Sequence, residues 1–246
     1  MPRRKPLPEI HRPVVWVTGA SRGIGREIAK VFGTIGCRVC VSSRDSKSLA
    51  LVVRTITNDG GFAEAVRCDI SSPRSIVAAA TRIREQVGEV DVLVNNAGVT
   101  VFKDFLSTTA DEFDRIIDTN LRGQIACIKA VLPSMVRRKK GWIINILSNA
   151  AVKTFEGSAA YTATKAGMLG LARVLREELR PHKIKVVNVI PGATETPMWS
   201  AASRRKFSAR MMDPKSVGEA VLAAYQMPDD VVVDELIIRP IQGDID

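Results

Sequence analysis

The sequence predicts an α/β fold: one domain built on a doubly wound, mostly parallel sheet with helices on both faces. Three observations predict it. Short β-branched runs alternate with helical stretches along almost the whole chain, which is the pattern of βαβ units. A glycine-rich turn follows the first run directly. No linker or repeat interrupts residues 14–246 of a 246-residue chain, a length at which one domain can bury its own core.

Residues 1–12 are rich in Pro and Arg and without periodicity. They read as a mobile basic arm ahead of a domain over 13–246. The strand-like runs are 14–17, 38–41, 63–66, 90–94, 142–147, 185–190 and 235–238. Helical patterns lie between them at about 24–35, 46–58, 73–87, 111–138, 158–180 and 214–226. Right-handed crossovers then put a ligand crevice at the carboxyl ends of the strands.

Composition narrows the function. Hydrophobic residues are 46% and charged residues 25%, an ordinary soluble profile. No apolar run approaches the ~20 residues that span a bilayer. The first ten residues carry charge but no apolar segment of a secretory signal. A cytoplasmic protein is expected. The formal net charge is +10. Its clusters at Arg3-Arg4-Lys5, Arg137-Arg138-Lys139-Lys140 and Arg204-Arg205-Lys206 are short, scattered and not interleaved with aromatics. That argues against nucleic acid as the main partner and fits a polyanionic cofactor. Cys37 and Cys40 form a C-x-x-C, but residues three apart on a strand point to opposite faces. His11 and His182 are the only histidines, too few for a His-based triad or zinc site. No metal is expected.

The first strand runs into Thr18-Gly-Ala-Ser-Arg-Gly-Ile-Gly25, with glycines at 19, 23 and 25. Such a turn lets backbone approach a pyrophosphate, and the following helix offers its N-terminus to the phosphates. Gly19, Ser21, Arg22, Gly23, Ile24 and Gly25 are therefore expected at a dinucleotide. The second strand ends at Ser42-Ser43-Arg44. An NAD site usually has an acid here for the ribose 2′-hydroxyl. Ser43 offers no carboxylate, whereas Arg44, helped by Arg22, offers a fork for a 2′-phosphate. NADP(H) is expected in preference to NAD(H). Asp45 falls one position late and suits a helix cap. Asp69 and Ile70, after the third strand, fall near the adenine. Asn96, Ala97 and Gly98, ending the fourth, would lie against the cofactor.

Of the two tyrosines, Tyr225 sits on a late amphipathic helix and reads as packing. Tyr161 opens Tyr161-Thr-Ala-Thr-Lys165, whose i, i+4 spacing puts both side chains on one helix face. A nearby ammonium should lower a phenol pKa of ~10. Ser148 ends the strand before this helix, at the crevice, where it could donate to the same oxygen as Tyr161. Asn120, inside the long helix 111–138, could hold a water linking Lys165 to solvent.

These residues, with Asn95-Asn-Ala-Gly98 and Pro191-Gly192, resemble the motif set of the short-chain dehydrogenase/reductase family, in its order and spacing over about 14–240. The resemblance implies a Rossmann-type sheet of seven strands, in the order 3-2-1-4-5-6-7. It implies hydride transfer between NADP(H) and a small-molecule ketone, aldehyde or secondary alcohol. Tyr161 would be the acid/base and Ser148 the alkoxide stabiliser; Lys165 would bind the nicotinamide ribose, and Asn120 would anchor a relay water. Thr194 or Thr196, after Pro191 and Gly192 at the cofactor, would hold the carboxamide, with the family's spacing favouring Thr194. It implies a homodimer or homotetramer.

Residues 194–213 combine Met198, Trp199, Phe207, Met211 and Met212 with Arg204, Arg205, Lys206 and Arg210, and read as a lid over the substrate. Many relatives reduce 3-oxoacyl chains on an acidic carrier protein, which the basic run 137–140 could dock. Those reductases usually end in a Gly-rich segment, whereas this chain ends Glu235-Leu-Ile-Ile-Arg-Pro-Ile-Gln-Gly-Asp244. That ending looks more like relatives acting on small hydroxy acids, sugars or pterins. A non-catalytic NADP(H) sensor would need only the glycine turn and Arg44.

Overall fold

The computed structural model describes residues 12–245, so the arm expected over 1–12 lies, but for its last residue, outside the described residues. Seven strands form one all-parallel sheet in the order β3-β2-β1-β4-β5-β6-β7. They are β1 (Val14–Thr18), β2 (Arg38–Ser43), β3 (Phe62–Arg67), β4 (Val92–Asn95), β5 (Gly141–Ile146), β6 (Ile184–Pro191) and β7 (Glu235–Ile238). Helices α1 (Gly23–Thr34), α2 (Ser46–Asn58), α3 (Pro73–Gln86), α4 (Ala110–Ile117), α5 (Gly123–Arg138), α6 (Ala159–Leu179), α7 (Ala201–Phe207) and α8 (Pro214–Tyr225) connect them.

Both faces of the sheet are covered, so the central strands β1 and β4 are buried at every residue, as parallel strands between helix layers must be. On one face, Ile76 and Ile83 of α3, Cys127 and Met135 of α5 and Met168 and Leu169 of α6 pack on Trp16, Leu93 and Ile143. On the other, Ile28 and Phe32 of α1, Leu49 and Ile56 of α2 and Val217 and Val221 of α8 pack on Val15, Val94 and Ile144. The expected doubly wound sheet is thus present.

Cys37 and Cys40 belong to these opposite cores, and all four cysteines are free and buried. Burial pushes the Cys37 and Cys40 thiols up to about 12, so neither is a reactive thiolate. No group of three potential metal-ligating side chains occurs among the described residues, and no described helix is long and apolar enough to cross a membrane. Tyr225 packs edge-on against Phe32 and is tilted on Trp142.

The helix expected over 111–138 is interrupted. Residues Asp118–Arg122 form a π-turn between α4 and α5, closed by the Gly123 N–H donating to the Asp118 carbonyl. Gly123 allows it, because a Cβ there would overlap the Ile70 carbonyl. The bulge turns Asn120 fully inward; π-turns often mark such inward-facing functional positions.

Candidate active site

The β1–α1 turn depends on its glycines. Gly19 and Gly23 have φ of +64° and +59°, a region costly to residues with a Cβ. A Cβ on Gly19 would lie 2.7 Å from Ala97 Cα, and one on Gly25 2.7 Å from the Gly19 carbonyl. Thr18 fastens the turn to the end of β4. Its buried hydroxyl donates to Val94 O at 3.1 Å and accepts from the N–H groups of Asn96 and Ala97 at 3.0 and 3.2 Å. The Asn96 amide reaches back to Thr18 O and Gly19 O at 2.9 and 3.1 Å. Two strand ends are thereby held in one rigid saddle. Arg22 precedes α1 without a side-chain cap, leaving the helix N-terminus to an anion.

The saddle borders a cavity of about 1010 Å³ at the carboxyl ends of the strands. One end is lined by Gly19, Ser21, Arg22, Gly23, Ile24, Ser43, Arg44, Asp69, Ile70, Asn96, Ala97 and Gly98. Asp45 is the N-cap of α2 and accepts from Lys47 N at 3.0 Å and Ser48 N at 3.2 Å. Burial opposes ionisation of Asp69, but hydrogen bonds from Ser71 and the charges of Arg44 and Arg67 hold its carboxyl below the usual range. Gly25 does not line the cavity; it packs behind it on Asn96 and Gly19. This end fits an NADP-type dinucleotide, with a glycine cradle for a pyrophosphate and two arginines for a 2′-phosphate.

Ser148, Tyr161, Lys165, Pro191, Gly192 and Thr194 also line the cavity, and Thr196 lies over Gly23 of the turn. Ser148 lies two residues beyond β5, and Tyr161 and Lys165 stand on the first turns of α6. Lys165 is 2% exposed and donates to Ile146 O at 2.8 Å. Burial lowers its pKa from 10.5 to about 8. The Tyr161 pKa departs from the expected direction: it is raised, by burial, and only a hydrogen bond with Ser148 opposes the rise. The i, i+4 spacing does put Lys165 near the ring, with Nζ 5.6 Å from its centroid. Its ammonium, however, is directed at the Ile146 carbonyl and leaves burial dominant.

Asn120 does not line the cavity. Its Oδ1 accepts from Val99 N at 2.8 Å, and its Nδ2 donates to Val99 O at 2.8 Å and Thr164 Oγ1 at 3.3 Å. The side chain thus ties the loop after β4 to α6, and both its polar atoms are already engaged. In the basic run 137–140, Arg138 is spent on Asp91, Val90 O and Ser134, which weakens that run as a docking patch.

Residues 194–213 fold as α7 and a short turn, pinned by a bridge between Thr194 and Met212. Trp199 stacks on Phe102 at 5.7 Å between centroids and 24° between planes, and both line the cavity with Phe155 and Phe207. The sequence signalled neither Phe102, Lys153 nor Phe155, which lie in loops without periodicity, nor Asn149, which opens a single 3-10 turn. It also carried no signal for the carboxylate of Asp244, which borders the same cavity.

Comparison with known proteins agrees with this geometry. Residues 13–206 match the family model of short chain dehydrogenases. The chain is 34% identical over 239 residues to a sepiapterin reductase of Chlorobaculum tepidum, covering 94% of this chain and 98% of that one. A metagenomic short-chain oxidoreductase in complex with NADP superposes with a TM-score of 0.82 at 37% identity, over 93% of this chain and 96% of the other. An actinorhodin polyketide ketoreductase with NADPH superposes at 0.86 and 31% identity, over 95% and 98%.

Proposed function

The chain belongs to the short-chain dehydrogenase family and is an oxidoreductase; we propose that it is an NADP(H)-dependent ketone or aldehyde reductase with Tyr161 as proton donor. The observation that carries this reading is the convergence of Ser148, Tyr161 and Lys165 at one end of a cavity whose other end holds the glycine turn, Arg22 and Arg44. The NADP- and NADPH-bound neighbours support the choice of cofactor.

When bound, the cofactor supplies the hydride; the chain supplies position and charge. Arg44 and Arg22 would hold the 2′-phosphate, Thr194 or Thr196 the carboxamide, and Lys165 the nicotinamide ribose. Tyr161, a phenol protonated at neutral pH whose pKa burial raises further, is the acid that donates its proton to the developing alkoxide. Ser148 donates a hydrogen bond to the same oxygen and stabilises its charge. Lys165, ionising at about 8, stands 5.6 Å from the ring and stabilises the phenolate left behind. Asn120 keeps α6 and the loop after β4 in register. Residues 194–213 act as the lid over the carbonyl compound.

The test is steady-state oxidation of NADPH, with NADH in parallel, against a panel of ketones and aldehydes. Turnover with a higher kcat/KM for NADPH supports the reading. A preference for NADH removes the role given to Arg44, and failure to bind either cofactor overturns the proposal.

A further inference from the structure

The distinctive chain ending returns to the site. After β7 the chain turns through residues 239–244, closed by Gly243 N–H donating to Pro240 O at 2.9 Å. The turn delivers the Asp244 carboxylate, only 11% exposed, to the loop after β5. Its Oδ1 accepts from Asn149 Nδ2 at 2.7 Å. Its Oδ2 faces Lys153 Nζ at 3.4 Å and Arg239 Nη1 at 3.7 Å. Its backbone carbonyl accepts from Arg210 Nη2 at 2.6 Å. Asn149, 3% exposed, also accepts from Arg239 Nη2 at 3.3 Å.

Asn149 is the residue after Ser148, and Arg210 closes the short turn after α7. One side chain and its carbonyl therefore join three otherwise separate segments: the Ser148 loop, the end of β7 and the 194–213 segment. A carboxylate this enclosed, with an amide and two cations on its two oxygens, is held far more firmly than an exposed ion pair.

We propose that Asp244 is a positioning residue for the reductase site, holding the Ser148–Asn149 turn and the end of the lid in one arrangement. Although its carboxylate borders the cavity, both oxygens are already engaged by Asn149, Lys153 and Arg239, and the role assigned to it is exerted through Asn149 and Arg210. The proposal rests on the catalytic reading above and deepens it. Its physical basis is that proton donors must be held to a fraction of an ångström, and misplacement by about 1 Å can cost 10²-fold in rate.

The experiment compares wild type with Asp244→Asn and Arg239→Met. It uses kcat and KM with the best neutral ketone and with cationic ketones of the panel, NADPH affinity, the thermal midpoint and hydrogen exchange. Asp244→Asn should lower kcat by about tenfold or more and leave NADPH affinity within about twofold. It should speed exchange over 149–157, where the carboxylate's own partners lie, while the Arg210 bond to the main-chain carbonyl remains. Arg239→Met should move the same quantities in the same direction by less, and it keeps the test open should Asp244→Asn fold poorly. Wild-type kcat in the variants overturns the proposal, whether or not exchange changes. So does a rise in KM confined to cationic ketones, which would make Asp244 a direct substrate contact. Exchange also separates this proposal from the catalytic one. If wild type reduces no ketone but exchange changes as stated, the clamp stands and the reductase reading fails. Unchanged exchange removes the clamp.

Discussion

Replacing Thr18 by Val tests the saddle on which the dinucleotide end depends. The side chains have nearly the same shape, so the change exchanges a hydroxyl for a methyl in a fully buried position. Three hydrogen bonds vanish: those from Asn96 N and Ala97 N, and the one to Val94 O. A polar group stripped of its partner in a buried setting costs about 1–3 kcal/mol. Asn96 and Ala97 are only partly buried, so each N–H is placed near the lower end. The expected loss is about 2–4 kcal/mol. The Asn96 amide still grips Thr18 O and Gly19 O, so the turn should loosen rather than come apart, and NADPH affinity should fall about tenfold, or ~1.4 kcal/mol. Urea unfolding and NADPH titration measure the two quantities, with Thr18→Ser, which keeps the hydroxyl, as the control. A valine variant within about 0.5 kcal/mol of wild type, binding NADPH equally well, would refute the reasoning.

Two further substitutions address charge. Arg44→Ala should lower kcat/KM for NADPH roughly 10- to 100-fold, as loss of a charge-assisted contact implies, and change that for NADH little; an equal loss with both cofactors would show that Arg44 does not read the 2′-phosphate. Lys165 gives a pH signature. Its folded pKa of about 8 lies below the 10.5 of the free side chain, so between these values the unfolded chain holds a proton that the folded chain has released. Stability contributed by this group therefore rises with pH across that window, by about 3 kcal/mol in all. The buried thiols act oppositely, since their raised pKa values erode stability above pH 9. They are common to wild type and Lys165→Met, so the difference between the two isolates the lysine. The variant should be the more stable near pH 7, and its advantage should shrink towards pH 10; a constant difference would mean that burial leaves Lys165 untitrated.

Much of this was legible in the sequence because it rests on local signals. β-branched runs and helical periods give the sheet and its layers. The glycines at 19 and 23 announce positive φ, and the interval from Ser148 to Tyr161 brings a strand end to a helix start. What was not legible is set by tertiary contact. The helical period runs through 118–122 without a break, and the π-turn there brings Gly123 against the Ile70 carbonyl, a tertiary contact that no local pattern announces. The spacing of Tyr161 and Lys165 fixes a shared face but not where the ammonium points, and its bond to Ile146 O leaves burial to set the tyrosine's pKa. Asp244 has no periodic context at all; its importance comes from Asn149, 95 residues away.

The most direct test of the account is the rate of NADPH oxidation with a saturating ketone in wild type and Tyr161→Phe, with NADPH binding measured on both. The phenylalanine variant should bind NADPH as wild type does and lose at least about 10²-fold in kcat, the usual worth of a positioned acid. A variant that turns over at the wild-type rate would contradict the assignment of Tyr161 as proton donor and with it the proposed mechanism.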